Sequence, residues 1–142
     1  MSEQRRVSTG APWEATVGYC RALRVELGGG VAQVLVSGTA PVADDGGTFA
    51  PGDAYAQARR CFEIALGAMA DLGAGAADVV RSRMFVTDIA RWAEFGRAHG
   101  EVFAAHPPVT SMVEVRALIA PDMLIEVELD AIVRGPSAEP AP

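Results

Sequence analysis

Between Ile125 and Ile132 the chain reads IEVELDAI, with acids and aliphatic residues taking strict turns. A period of two is the signature of an extended strand. It sends Glu126, Glu128 and Asp130 to one side and Ile125, Val127 and Leu129 to the other. Helices can bury the aliphatic side. The side carrying three carboxylates must meet water, cations or another subunit, because burying them unpartnered would cost roughly several kcal/mol each. The chain is therefore expected to build a sheet covered on one face and left polar on the other.

The 142 residues are 50% hydrophobic, enough for one domain with one core. We expect a loose segment over 1–14, a single domain over 15–134 and a frayed tail over 135–142, where three prolines crowd into RGPSAEPAP. There is no run of about eighteen apolar residues and no apolar core near the N-terminus, so a cytoplasmic protein is the simplest expectation. A net charge of −6 argues against nucleic-acid and anionic-membrane partners, which require clustered cations. A small molecule or a protein partner is favoured. Cys20 and Cys61 show no metal-ligand spacing and are expected to be buried free thiols.

Extended runs over about Thr16–Val25 and Val31–Ser37, joined by Gly28, Gly29 and Gly30, predict a hairpin. The triple glycine is not read as a phosphate cradle, because a strand rather than a helix follows it. The second run exits sharply at SGTAP. Asp53 is placed to cap a helix whose stripe runs through Ala54, Ala58, Cys61, Ala65, Ala68 and Leu72 and which ends at Gly73, with Gln57 off the stripe. Val79–Thr87 predicts a strand, and Asp88 caps a second helix with Ile89, Trp92, Phe95, His99 and Phe103 on its apolar side. Strands over about Val109–Leu118 and Met123–Val133 complete the order β-β-α-β-α-β-β. An α+β fold results, one mixed sheet with two helices on a single face.

If Met84 and Val86 face the helices, Arg81, Arg83 and Phe85 share the uncovered side with the three acids. Glu114, Arg116, Tyr19 and Arg21 join them, together with Leu124 and Ile132. A face this mixed predicts self-association with partly buried ion pairs. Other candidates are weaker. His99 reads as a satisfied core side chain and His106 as a helix-end residue, no GxSxG elbow is present, and Asp44 and Asp45 read as a solvated loop rather than a cation site.

GYCRA around Tyr19, VSGTAP from Val36, AQARRCFEI, MFVTDI, and SMVEV followed by IEVEL occur in an order that resembles the Rid family, also called the YjgF family of reactive-intermediate deaminases. The resemblance spans roughly residues 14–133. It implies a chorismate-mutase-like fold assembled as a homotrimer, with ligand clefts between subunits and neither metal nor organic cofactor. It further implies that Glu126 positions a water that attacks an imine or enamine carbon with release of ammonia. Tyr19 matches the family's phenol at the cleft mouth, Gly38 and Thr39 its cleft-lining turn, and Ser111 and Met112 the two positions after its carboxylate-clamping arginine.

That arginine falls at Thr110, which cannot form the paired charge-assisted bonds of a guanidinium. The chain thus resembles subgroups lacking the clamp. Arg83, with Arg81 behind it, is a candidate replacement from the neighbouring strand, unless the natural ligand has no carboxylate; the other reading of Arg83 is an ion pair with Glu114 or Glu128. The competing functional expectation is a non-catalytic trimer that binds a small ligand in the same cleft.

Overall fold

The computed structural model describes residues 3–135. Six strands form one sheet: β1 (Gln4–Val7), β2 (Ala22–Gly28), β3 (Val31–Thr39), β4 (Val79–Val86), β5 (Val109–Glu114) and β6 (Ile125–Arg134). Helices α1 (Ala54–Ala70) and α2 (Trp92–Phe103) follow β3 and β4. The spatial order is β1-β2-β3-β6-β4-β5. Only the β4–β5 pair is parallel, as the α2 crossover between them requires; the other pairs are antiparallel. The expected mixed sheet is present, with one strand more than the sequence suggested.

That extra strand corrects the reading of residues 1–14 as loose. Gln4–Val7 pairs with Val25–Ala22, and Arg21 N–H donates to Val7 O at 2.8 Å. The first predicted strand also begins late, since Glu14–Gly18 forms one turn of π-helix and β2 starts only at Ala22. β5 stops at Glu114, short of Leu118. The tail over 135–142 lies outside the described residues apart from Gly135.

The alternation in β6 behaves as its period demands. Ile125, Val127, Leu129 and Ala131 are fully buried, while Glu126, Glu128 and Asp130 stay partly exposed on the other side. The buried row meets Ala58, Cys61, Phe62, Ala65 and Met69 of α1 and Phe95, Ala98 and Phe103 of α2 in a single core. Small alanines on α1 let the helix approach the sheet closely. Asp53 caps α1, accepting from Ala56 N–H at 2.9 Å, whereas Asp88 accepts from Ala90 N–H at 3.0 Å and so caps a short 3-10 turn, Ile89–Arg91, that leads into α2 rather than α2 itself. Gly73 leaves α1 at φ +81°, the left-handed conformation that ends a helix. Cys61 is buried and Cys20 only half-buried; both are free thiols.

Gln57 was expected off the buried stripe of α1, yet it is fully buried. Its amide donates to Ala50 O (3.3 Å) and Asp122 O (3.0 Å) and accepts from Leu124 N–H (2.8 Å). The side chain thereby satisfies the backbone that leads into β6, which explains a buried polar group on a helix packed against a sheet. Gln57→Ala is expected to cost about 3 kcal/mol, because three backbone groups lose their partner. Urea unfolding at fixed protein concentration measures it.

The uncovered face carries Leu35 and Phe85 among charges. Arg83 lies opposite Glu128 in the β4–β6 register and is 3.5 Å from its Oε2 and 3.3 Å from Asp130 Oδ2. Of the two readings for Arg83, the ion-pair geometry with Glu128 is therefore realised within one chain.

Candidate active site at the β3 bulge

β3 and β6 are in simple register until Val36 opposes Leu129; the next pair is Thr39 with Val127. Two residues on β3, Ser37 and Gly38, thus oppose the single Glu128 on β6, which is a bulge in β3. The bulge brings the Gly38 backbone against Glu126. A Cβ at Gly38 would stand 3.0 Å from both the Cδ and an Oε atom of that carboxyl group. Glycine is needed here for close approach, not for an unusual φ. Gly38→Ala is expected to displace the Glu126 carboxylate and lower turnover by about a hundredfold with little loss of stability, as steady-state kinetics and thermal unfolding together will show.

Glu126 faces a cleft of about 680 Å³ whose walls include Tyr19, Arg21, Thr39, Ile64 and Ile119. Burial raises its pKa, the neighbouring Glu128 carboxylate raises it further, and the Arg21 cation opposes both. Among the described residues, no donor lies within hydrogen-bond distance of its oxygens, so the carboxyl group is presented to the cleft.

Arg21 was visible in the sequence as a neighbour of Tyr19 on the uncovered face but was not singled out. It is 6% exposed. Its guanidinium donates from Nη1 to Gly38 O (2.6 Å) and Thr39 Oγ1 (3.3 Å), and from Nη2 to the Tyr19 hydroxyl (3.3 Å). It also lies 5.4 Å from the Tyr19 ring centroid. One buried cation thus holds both the phenol and the bulge. The signal was the i, i+2 spacing of Tyr19 and Arg21, which puts both side chains on one side of extended chain.

Glu14 sits behind Arg21, with Oε2 3.8 Å from Nη2. Its carboxylate accepts from Ser8 Oγ (2.7 Å), Thr9 N–H (3.1 Å), Thr9 Oγ1 (2.5 Å) and Ala11 N–H (3.2 Å). Burial alone would push its pKa up; the hydrogen bonds from Thr9 and Ser8 and the Arg21 charge outweigh that and hold it below the usual value. Residues 9–13, expected to be loose, are consequently a wall of the cleft.

Of the residues anticipated as a site, Tyr19, Gly38, Thr39 and Glu126 line this one cleft. Arg83, Thr110, Ser111 and Met112 do not join them within a single chain. Ser111 pairs with Arg83 farther along the uncovered face, and Met112 pairs with Met84 and packs on the core. Thr110 lies on the helix-covered side, where Ser82 Oγ is 2.6 Å from Thr110 Oγ1 and 2.6 Å from His99 Nε2. His99 is wedged between Phe62 and Phe103 on α1 and α2, and burial lowers its pKa. Among the described residues no group of three or more His, Cys, Asp or Glu side chains is placed to hold a metal ion, and no helix is long and apolar enough to cross a membrane.

One mixed sheet with helices on a single face is the YjgF-type α+β fold, and here it carries a half-buried carboxyl group at a bulge facing a largely apolar cleft. Residues 10–133 match the sequence profile of the family described as Endoribonuclease L-PSP, and the chain belongs to that family, whose members include the YjgF/Rid proteins. A Mycobacterium tuberculosis protein of the YjgF/YER057c/UK114 family is 44% identical, with a TM-score of 0.79 over 92% of this chain and 100% of that one. The Escherichia coli YjgF gene product is 28% identical, with a TM-score of 0.74 over 92% and 99%. An uncharacterized Streptomyces coelicolor protein is 35% identical over 127 residues, 89% of this chain and 90% of its own.

Proposed function

We propose that the chain hydrolyses the C=N bond of a small imine, or of an enamine through its imine tautomer, and releases ammonia. The observation that carries this reading is Glu126 itself: a carboxyl group uncommitted within the protein, raised in pKa by burial, and held at the floor of a small-molecule cleft. A base whose pKa approaches the working pH is the better proton acceptor. The 142 residues contain no lysine, so a protein-bound Schiff base through a lysine amine is not an option and water is the natural nucleophile.

In the proposed sequence, Glu126 takes a proton from water as its oxygen bonds to the carbon of a protonated imine, and the C=N π pair moves to nitrogen. The carbinolamine nitrogen then receives that proton. The C–N bond breaks with its electron pair leaving on ammonia, the oxygen lone pair closes the C=O bond, and the hydroxyl proton passes by way of Glu126 to the ammonia. The sum is one iminium and one water giving one carbonyl compound and one ammonium ion. In this reading the Tyr19 hydroxyl, held by Arg21, accepts a hydrogen bond from the departing protonated nitrogen.

The assembly belongs to this proposal. The uncovered face, with Leu35, Phe85 and the Arg83–Glu128–Asp130 pairs, suits a homotrimer whose neighbouring copies complete each cleft. RNA cleavage, which the family description names, is less well supported here, since a polyanion would meet a net charge of −6 and a cleft centred on a carboxylate.

The test is ammonia release from imines generated in situ by an amino-acid or amine oxidase. The wild-type protein should accelerate release for at least one side-chain class. Rates matching buffer alone across the whole panel would end the reading, and a monomeric mass by light scattering at micromolar concentration would remove its trimeric part.

A further inference from the structure

We propose that the cleft selects a cationic C=N head carried on a bulky apolar body and disfavours carboxylates, so that the substrate class is protonated imines bearing no acid group. The inference rests on the imine-hydrolysis reading and narrows its substrate.

Of the two guanidinium groups that one chain places in the cleft, Arg21 is held by buried partners and Arg60 by the Val42 carbonyl and two exposed carboxylates. Arg21 is almost wholly buried and spends its Nη donors on Gly38 O, Thr39, Tyr19 and the Glu14 charge. Arg60 donates from Nε to Val42 O (2.8 Å), from Nη1 to Glu63 (2.9 Å) and from Nη2 to Asp44 (3.1 Å), and its guanidinium lies 5.7 Å from the Phe49 ring centroid. Clamping a carboxylate by two parallel charge-assisted bonds takes a guanidinium whose paired donors are free. Freeing Arg21 would strip the bulge and the phenol of their support and leave Glu14 buried without its counter-charge.

Glu126 is the carboxylate in the cleft without a counter-ion, since the Asp44 carboxylate that also lines it is paired with Arg60. An anionic ligand head would approach a carboxylate that already has Glu128 as a neighbour, whereas a cationic head would relieve that crowding. The remaining walls are apolar: Trp13, Val17, Ile64 and Ile119 line the same space, with Val17 71% and Ile119 66% exposed. They suit a ring or branched hydrocarbon body rather than a small polar one.

Benzamidinium, benzamide and benzoate form a series of nearly equal shape carrying charges of +1, 0 and −1, and the amidinium copies the planar protonated C=N group. In calorimetric titrations of the full-length protein, benzamidinium should bind about tenfold more tightly than benzamide, and benzoate more weakly than both. Glu126→Gln should erase the benzamidinium advantage. Equal or tighter binding of benzoate, persistence of the preference in Glu126→Gln, or failure of benzamidinium to bind the wild type at millimolar concentration would each overturn the proposal. Ammonia release is a separate readout. Benzamidinium preference without turnover of any imine would sink hydrolysis and leave the charge selection standing, while turnover of imino acids together with benzoate preference would do the reverse.

Discussion

Glu126→Gln is expected to lower ammonia release by about a hundred- to ten-thousand-fold while raising the melting temperature at neutral pH. The first effect is the loss of a positioned proton acceptor. The second follows from linkage. Glu126 has a folded-state pKa above its ordinary 4.5, with burial as the main cause and Glu128 the next. A carboxyl group raised on folding favours the native state below its unfolded pKa, and that contribution is lost as pH rises through the folded value. At neutral pH the ionised side chain therefore weighs against folding, and a neutral isostere removes the weight. The stability difference between variant and wild type should shrink as pH falls through the raised folded value and vanish below about 4.5. Thermal unfolding between pH 4 and 8 at fixed protein concentration is the check. A variant no more stable than wild type at pH 7 would mean that Glu126 is compensated by a cation from another copy.

Arg21→Met should be the most damaging single change in the cleft. Removing one partner of a buried ion pair leaves the other uncompensated, at about 3 to 5 kcal/mol, and Glu14 is 4% exposed. Glu14 keeps its bonds from Ser8, Thr9 and Ala11, which places the expected loss near the lower end, about 10 °C in melting temperature. Activity should fall by about a hundredfold in the protein that remains folded, because Tyr19 and the Gly38 carbonyl lose the group that fixes them. The Arg21–Glu14 pair also shapes the acid limit. Glu14 is depressed on folding, so its contribution is present above its unfolded pKa and disappears as pH falls through the lower folded one. In Arg21→Met, acid unfolding should begin at higher pH than in wild type. An unchanged acid midpoint would show that the hydrogen bonds around Glu14, not the cation, set its pKa.

Substitution at Arg83 offers a useful contrast. Its pairs with Glu128 and Asp130 are partly exposed in one chain, and exposed ion pairs contribute little. A large effect of Arg83→Met would therefore report on the assembly rather than on the fold of the protomer.

The two helices, the Asp53 cap, the glycine hairpin and the sidedness of β4 and β6 were legible in the sequence because each is written in local spacing. A period of two sorts Glu126 from Val127, and a period near 3.6 sorts Ala58 from Arg59, whatever lies across the sheet. Placing Tyr19 and Arg21 on one side of the chain needed nothing more. Gln57 defeated this reasoning because polarity normally marks the solvent side of a helix, and its partners Ala50, Asp122 and Leu124 are distant or irregular backbone.

Tertiary structure alone decided the rest. The bulge at Ser37 and Gly38 exists only as a mismatch between β3 and β6, strands about ninety residues apart in sequence, and it is what sets Gly38 against Glu126. Residues 4–14 lack any strong period of their own and are ordered by pairing with β2 and by one buried carboxylate. Thr110 fell on the helix side because its parallel register with Ser82 fixed its face. Sequence periodicity determines which way a side chain points relative to its neighbours in the chain; which groups it meets is set by register between segments far apart, and that depends on the packing of the whole sheet.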